Sequence, residues 1–281
     1  MTKDFKATYD GLSVVELDSW SLEKLHFLNR LIDIFTVGMK NKFSMINFIN
    51  LFCGPGMMLE KSSGQFYYGS PMIAWRTDHP FTHYYFCDND PLFMRDLEQR
   101  CNDSQNKANY YCEDANVAVG SITADINYRT KEVGSSLNLA FMDQFSFELQ
   151  WPTIESLSHV GRMDLLIYYP ESAINRNLEM FSKQDGGTAM DTYFGSHLWR
   201  EIVKSYPSKR PGELTRPLMD FYKQNLRKLG YRAIETYEPG FRGPSYSIIY
   251  RLLFASKHPR GADFWNKATN RALNGQIPLP L

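Results

Sequence analysis

Two glycines on either side of a proline form the most distinctive turn in the sequence. The run FCGPG at 52–56 follows a short apolar segment rich in isoleucine and phenylalanine. Glycine lets a backbone approach a ligand closely and adopt positive φ, and proline stiffens the turn. Leu59 stands where a dinucleotide fingerprint has its third glycine or alanine, so the full pyrophosphate pattern is missing. A shorter turn suffices for an adenosyl cofactor without pyrophosphate, and a plain strand-to-helix turn is the alternative.

Acidic residues follow the next two apolar segments. Asp88 and Asp90 come after HYYFC, and Asp114 comes after ANYYC. A carboxylate at a strand end can accept hydrogen bonds from ribose hydroxyls, and we expect Asp88 to do so. Asp90 is expected mainly to cap the helix that opens at Pro91. Asp114 is placed to reach an adenine amino group, with a solvated loop acid as the alternative.

Asp143 and Phe145 follow a fourth apolar segment. Amino-methylating enzymes carry an Asp/Asn-Pro-Pro-aromatic motif at this point, in which the acid holds an amine by hydrogen bonds and the ring stacks. The prolines are missing from this sequence. We still predict a catalytic role for this acid and this ring, whereas a cap of the following turn is the alternative for the acid.

The fifth apolar segment ends at Tyr169 and leads into ESAINRN. Tyr169 is a candidate substrate contact because it lies at a strand end. Arg176 could clamp a carboxylate or a phosphate, and a surface arginine is the alternative. The basic run KSYPSKRPGELTR at 204–216 could contact phosphates of a nucleic acid, and it could equally be a solvated loop.

Strands alternating with helices must position these residues, and this predicts a mostly parallel sheet with helices on both faces. The last two predicted strands, YRAIETYE and SYSIIYRLLFASK, have no helix between them and predict an antiparallel edge. This is the arrangement of a Rossmann-like class I methyltransferase sheet. We predict one domain over 1–281, with an N-terminal helical extension at 1–42 and an insertion or lid at 175–212. Within the extension, leucine spacing predicts a helix over Ser19–Met39.

Composition limits the other classes of function. Lysine and arginine number 31, as do aspartate and glutamate, so the basic excess of a dedicated non-specific nucleic-acid binder is missing. The four cysteines form no CxxC pair, and Pro80 separates His79 from His83, so no metal site is expected. Without a signal segment or a long apolar run, we expect a cytoplasmic protein with free thiols and no membrane contact.

Six motifs, taken in order, resemble the three-Cys-motif partner protein family. They are INLFCGPGM, GSPMIAW, YYFCDNDP, DLLIYYPESAINRN, YFGSHLW and FASKHPRGADFW. The resemblance extends from about Leu25 to Trp265. One departure is the segment DQFS at 143–146, where the family usually carries Asp-Pro-Tyr/Phe-Gly. That departure weakens the transfer of a catalytic role to Asp143.

The resemblance implies a class I methyltransferase-like fold that binds S-adenosyl-L-methionine. It implies a cofactor pocket lined by Gly54, Gly56, Asp88 and Asp114. We expect Phe52, at the start of the same glycine turn, to contact the cofactor as well. It places Ser70, Arg176 and Trp199 near the open end of that pocket. It also implies a partner bearing a three-cysteine motif suited to an iron–sulfur cluster. We predict an S-adenosylmethionine-dependent methyltransferase acting on a nucleobase or nucleic acid, with a non-catalytic partner subunit of a three-cysteine-motif iron–sulfur protein and a small-molecule methyltransferase as the alternatives.

Overall fold

The structure, a computed structural model, describes residues 4–102, 106–206, 211–234, 237–243 and 247–273. Strands and helices alternate through most of these ranges. The strands are β1 (Lys6–Ala7), β2 (Val15–Leu17), β3 (Met45–Leu51), β4 (Met57–Glu60), β5 (Phe66–Tyr68), β6 (His83–Asp88), β7 (Ala108–Cys112), β8 (Ser136–Met142), β9 (Arg162–Tyr169), β10 (Gly240–Arg242) and β11 (Ile248–Ala255). The helices are α1 (Ser19–Met39), α2 (Ser70–Trp75), α3 (Pro91–Arg100), α4 (Ala115–Val133), α5 (Trp151–Ser158), α6 (Glu171–Ser182), α7 (Ala189–Phe194), α8 (Trp199–Ser205), α9 (Pro211–Lys228) and α10 (Pro259–Leu273).

The central sheet of the described ranges has the strand order β10-β11-β9-β8-β3-β6-β7. Strands β3, β6, β7, β8 and β9 pair in parallel, whereas β11 runs antiparallel to β9 and to β10. The strand order reverses between β3 and β8, which is where ligands bind in open α/β sheets. The predicted fold class is confirmed: this is a Rossmann-like sheet of the class I methyltransferase type.

Successive residues of the central strands face opposite sides of the sheet, as the two-residue repeat of a strand requires. Phe48 and Phe86 pack under α1, α2 and α3, whereas Ile49 and Tyr85 pack against α4 and the helices beyond it. All seven residues of β3 are buried. The sheet is therefore covered on both faces, and its carboxyl edge is where a ligand can reach the strand ends.

A second, smaller sheet was not predicted. It has the order β1-β5-β4-β2 and is built from the segment before α1 and from the hairpin between the glycine turn and α2. Its strands are two to four residues long, too short to show a periodicity. The N-terminal extension therefore contains two strands besides the helix predicted at Ser19–Met39, which the structure confirms.

The N-cap of α1 is Asp18, and the N-cap of α2 is Gly69, with Ser70 as the first helical residue. One of the two predicted C-terminal strands was wrong. The predicted strand YRAIETYE contributes only an isolated bridge between Ala233 and Ser256, and its residues 235–236 lie outside the described ranges. This segment has the residue types of a strand, but it does not become one in the sheet, because β11 already pairs with β9 on one side and with β10 on the other.

The predicted insertion at 175–212 holds most of α6, all of α7 and α8, and the start of α9. Side chains of α7 and α8 such as Met190, Phe194 and Val203 are buried in the core shared with α9. Whether this segment moves as a lid stays a prediction. In the described ranges, no helix has the length and apolarity needed to cross a membrane.

One buried carboxyl lies away from the carboxyl edge, in the first half of β9. Burial raises the pKa of Asp164 to about 7, although a hydrogen bond with Ser256 acts in the opposite direction. The folded state therefore keeps a proton that the unfolded chain releases near pH 4. Stability from this group is fully present below pH 4 and is lost as the pH rises towards 7.

We predict that Asp164→Asn removes this dependence. The free energy of unfolding of the unmodified chain should fall, relative to the variant, by up to about 4 kcal/mol between pH 4 and pH 7. Urea titrations of both proteins across that range measure the difference. If the free energy of unfolding changes with pH in the same way in the two proteins, Asp164 is not protonated as assigned.

Candidate functional site

The glycine turn leaves β3 in a strained conformation. Phe52 has a φ of 63°, and it is the one non-glycine residue of the described chain with a positive φ. Gly54 and Gly56 follow with φ values of 63° and 89°. A Cβ on Gly54 would meet nothing within 4 Å, so that face of the turn is open to a ligand. Backbone strain of this kind is typical of functional sites.

Gly56 is closed in by the fold instead. A Cβ there would lie 2.8 Å from Met72 Cγ and 2.9 Å from Leu97 Cδ1. The Gly56 carbonyl accepts a hydrogen bond of 2.8 Å from the Gly69 amide, which ties the turn to the start of α2. The two glycines thus have different tasks: the second packs against the helices, and the first, which is half-buried, leaves open space at the sheet edge.

Asp88 joins the ends of two neighbouring strands. Its Oδ2 accepts a hydrogen bond of 2.8 Å from the Gly54 amide, and its Oδ1 accepts one of 3.1 Å from the Asp90 amide. Each carboxylate oxygen has a further lone pair, and the side chain is only partly buried. The acid predicted for the ribose therefore lies beside the open glycine and keeps acceptor capacity for two hydroxyls.

Arg100 braces the turn from the other side. Its Nη1 donates to the Pro55 carbonyl at 2.5 Å, while Nε and Nη2 donate to the two carboxylate oxygens of Asp10 at 2.7 and 2.8 Å. This hydrogen bonding lowers the pKa of Asp10. The N-terminal segment is thereby held against the turn, a contact that sequence patterns could not show because 90 residues separate the pair.

Asp114 follows β7 and is exposed. One of its oxygens accepts a hydrogen bond of 2.7 Å from the Asn116 amide, so the residue is the N-cap of α4. Asp90 caps α3 as predicted, accepting from the Leu92 and Phe93 amides. The three acids therefore stand in series along the edge, and a contact from Asp114 to adenine stays a prediction.

Asp143 is paired with a lysine that the sequence analysis missed. Lys24 Nζ in α1 lies 2.8 and 2.6 Å from the two carboxylate oxygens, and both side chains are about nine-tenths buried. Two tyrosine rings lie close to the ammonium, with centroids 6.0 Å (Tyr168) and 5.4 Å (Tyr250) from Nζ. Nothing in the local sequence signals this pair, because its members are 119 residues apart.

The neighbours of Asp143 differ sharply in exposure. Gln144 is 1% exposed; its Nε2 donates to the Tyr168 carbonyl at 2.6 Å, and its Oε1 has no hydrogen-bond partner. Phe145 is 87% exposed. The predicted catalytic pair is therefore divided into a closed, ion-paired acid and an open ring.

The four predicted substrate contacts lie in different surroundings. Ser70 is buried at the first position of α2, and Tyr169 is buried with a hydroxyl that has no partner. Arg176 is exposed on α6. Trp199 is fully buried, and its Nε1 donates to Asp191 at 2.9 Å. The structure thus keeps Trp199 in the core between α7 and α9, away from any open face, because its N–H and its ring are both used there.

A cleft of about 450 Å³ opens where β9 passes into α6. It is lined on several sides by charged and polar groups, which include Glu171, Asn175, Thr215, Arg216 and Arg251. Glu171 and Arg251 form an ion pair of 2.6 Å across its floor, and the buried Asn175 Oδ1 has no partner. The cleft lies at the carboxyl end of a central strand, on the side of the sheet beyond Asp143.

Comparisons with known proteins give distant likenesses. A Legionella pneumophila protein of family DUF519 has 13% identity and a TM-score of 0.47, covering 89% of this chain and 94% of that one. A SAM-dependent methyltransferase from Anabaena variabilis has 10% identity and a TM-score of 0.38, covering 89% and 98%. No protein-family model matches the sequence, and no curated protein matches it.

These values are too low to carry an activity from those proteins to this one. The strand order and the glycine turn, taken by themselves, define a protein with the class I methyltransferase-like fold. The resemblance to three-Cys-motif partner proteins stays a prediction.

The packing of the turn can be tested with two left-handed glycines of the same segment. Gly56→Ala introduces about 1–2 kcal/mol of backbone strain and about 1–3 kcal/mol of overpacking against Met72 and Leu97. Gly64→Ala is the matched control, because its φ is 69° and a Cβ there meets nothing within 4 Å. We expect urea unfolding to show the larger loss for Gly56→Ala; equal losses would contradict the close packing of the turn.

Proposed function

We propose that this chain binds S-adenosyl-L-methionine at the carboxyl edge of the sheet and transfers its methyl group to an amine. The observation that carries the proposal is the hydrogen bond between Asp88 and the Gly54 amide, which sets a partly exposed carboxylate beside an open, left-handed glycine. The residues fit the cofactor: Phe52, Gly54 and Gly56 form the turn, Asp88 would offer its free lone pairs to the ribose hydroxyls, and the exposed Asp114 would accept from the adenine amino group.

When bound, the cofactor supplies a methyl group already activated on a sulfonium. The chain then has to hold the acceptor in line and to exclude water, which accounts for much of the rate in such reactions. Asp143 and Gln144 offer hydrogen-bond acceptors to an amine, and Phe145 offers an exposed ring.

A nucleobase or nucleic acid is the acceptor class that we propose, and the exposed Phe145 ring supports it because a base can stack there. The basic run at 204–216 adds little support for a nucleic-acid acceptor. Lys204 and Arg216 pair with Glu201 and with Glu238, and Lys209 and Arg210 lie outside the described residues. A small-molecule amine is the alternative acceptor.

A non-catalytic partner subunit is the competing function, in which the fold docks a protein bearing a three-cysteine motif. The Lys24–Asp143 pair favours it, because a buried ammonium occupies the acid that an acceptor amine would need. Cytoplasmic placement belongs to both proposals. The two differ in turnover: only the enzyme converts the cofactor to S-adenosylhomocysteine when an acceptor is supplied.

Calorimetry with S-adenosylmethionine tests the cofactor site. We predict that Asp88→Ala weakens binding at least about ten-fold, because hydrogen bonds to a charged group contribute about 1.5–3 kcal/mol each. Asp90→Ala is the control; it removes the cap of α3, at a cost of about 0.5–2 kcal/mol in stability, and should leave the affinity nearly unchanged.

Melting curves recorded on the same samples separate lost binding from lost folding. No heat of binding from the unmodified chain at millimolar cofactor would overturn the proposed function. Equal loss of affinity in both variants would contradict the specific role of Asp88.

A further inference from the structure

The surroundings of Lys24 are those of a binding subsite filled by a side chain of the same molecule. Two carboxylate oxygens of Asp143 accept from its ammonium, and the rings of Tyr168 and Tyr250 lie within reach of cation–π attraction. Those rings are stacked on each other, with centroids 4.4 Å apart. A carboxylate and two aromatic faces are a combination that recognises an amino group.

The fold gains little stability from filling this space with a lysine. A buried ion pair is often no more stabilising than apolar side chains of similar volume, because both charges lose their hydration. The Gln144 Oε1 atom, on the residue after Asp143, is also buried and has no hydrogen-bond partner among the described residues, so the Lys24 ammonium does not satisfy it. Structural stability alone therefore does not account for the set of polar groups gathered at the end of β8.

The start of α1 lacks two of the usual stabilising features of a helix start. Asp18 is the N-cap, but its side chain makes no capping hydrogen bond, and the first turn has no acidic residue. A missing cap makes a helix start less stable by about 0.5–2 kcal/mol, while the pairing of β2 with β4 holds the residues just before it. Lys24 lies only one turn further along, so fraying of this end would release its ammonium from Asp143.

From these contacts we infer that Asp143, Tyr168 and Tyr250 form the subsite for the acceptor's amino group, which Lys24 occupies until the acceptor displaces it. This rests on the proposed function, since an acceptor amine matters only beside a bound methyl donor. The shared chemistry is an amino group, carried either by an aliphatic chain or by a nucleobase.

The test uses small amines and no cofactor. Lys24→Ala should bind n-butylammonium in calorimetric titrations, and the unmodified chain should bind it at least about ten-fold more weakly because Lys24 competes. Adding Asp143→Asn should abolish the gain, and n-butanol should not bind. Titration of Lys24→Ala with cytosine, a base that has an amino group but neither the adenine nor the ribose of the cofactor, separates the two sources. Binding of cytosine identifies a nucleobase amine, and binding of n-butylammonium alone identifies an aliphatic one.

Lys223→Ala is the matched control, because Lys223 is also fully buried and paired with an acid, Glu238, but lies on α9. If Lys223→Ala binds n-butylammonium as tightly as Lys24→Ala does, the binding reflects only the space left by a deleted lysine, and the inference is overturned. No gain in a Lys24→Ala protein that melts cooperatively also overturns it.

A further measurement uses the unmodified chain. High n-butylammonium should speed amide exchange in residues 19–24, as Lys24 is displaced, and should leave residues 219–228 unchanged. Unchanged exchange at 19–24 would contradict displacement. These titrations contain no cofactor. If the amine does not bind, the proposed cofactor site is not affected; if the cofactor does not bind in its own test, the amine titrations can still be interpreted.

Discussion

The hydrogen bond from the Gly54 amide to Asp88 is the interaction on which the site depends. It links the ends of β3 and β6, and β3 is one of the two strands between which the strand order reverses. Because the turn after β3 runs through three residues with positive φ, its shape needs support from outside. Asp88 gives that support on one side, and Arg100 gives it on the other by holding the Pro55 carbonyl.

The same constraint connects the small sheet to the site. The hairpin of β4 and β5 grows directly out of the turn, and its return places Gly69 against the Gly56 carbonyl. Residues before α1 then reach Arg100 through Asp10. The β4–β5 hairpin and the residues before α1, which both lie outside the central sheet, therefore contact the glycine turn. Helix α1 adds Lys24 at the end of the neighbouring strand, β8. The N-terminal extension is thus part of the site's construction.

Patterns of local origin could be predicted from the sequence, and contacts between distant segments could not. The apolar runs, the helix at Ser19–Met39 and the order of acids at strand ends follow from periodicity and turn chemistry, and the structure reproduces them. The Lys24–Asp143 pair has no local signature, since each member is an ordinary polar residue in its own segment. The burial of Trp199 also depends on distant segments: its motif suggested the open end of the pocket, whereas packing of α7 and α8 on α9 places its ring in the core.

The central claim is that the Gly54 turn and Asp88 together form an adenosyl site. Amide NMR of the chain titrated with S-adenosylhomocysteine tests it most directly, because the Gly54 and Gly56 resonances report on the turn itself. The account predicts saturable shifts at both glycines, with Asp88 and its neighbour Asp90 moving in the same titration. Saturating ligand that leaves both glycine amides unmoved would contradict it.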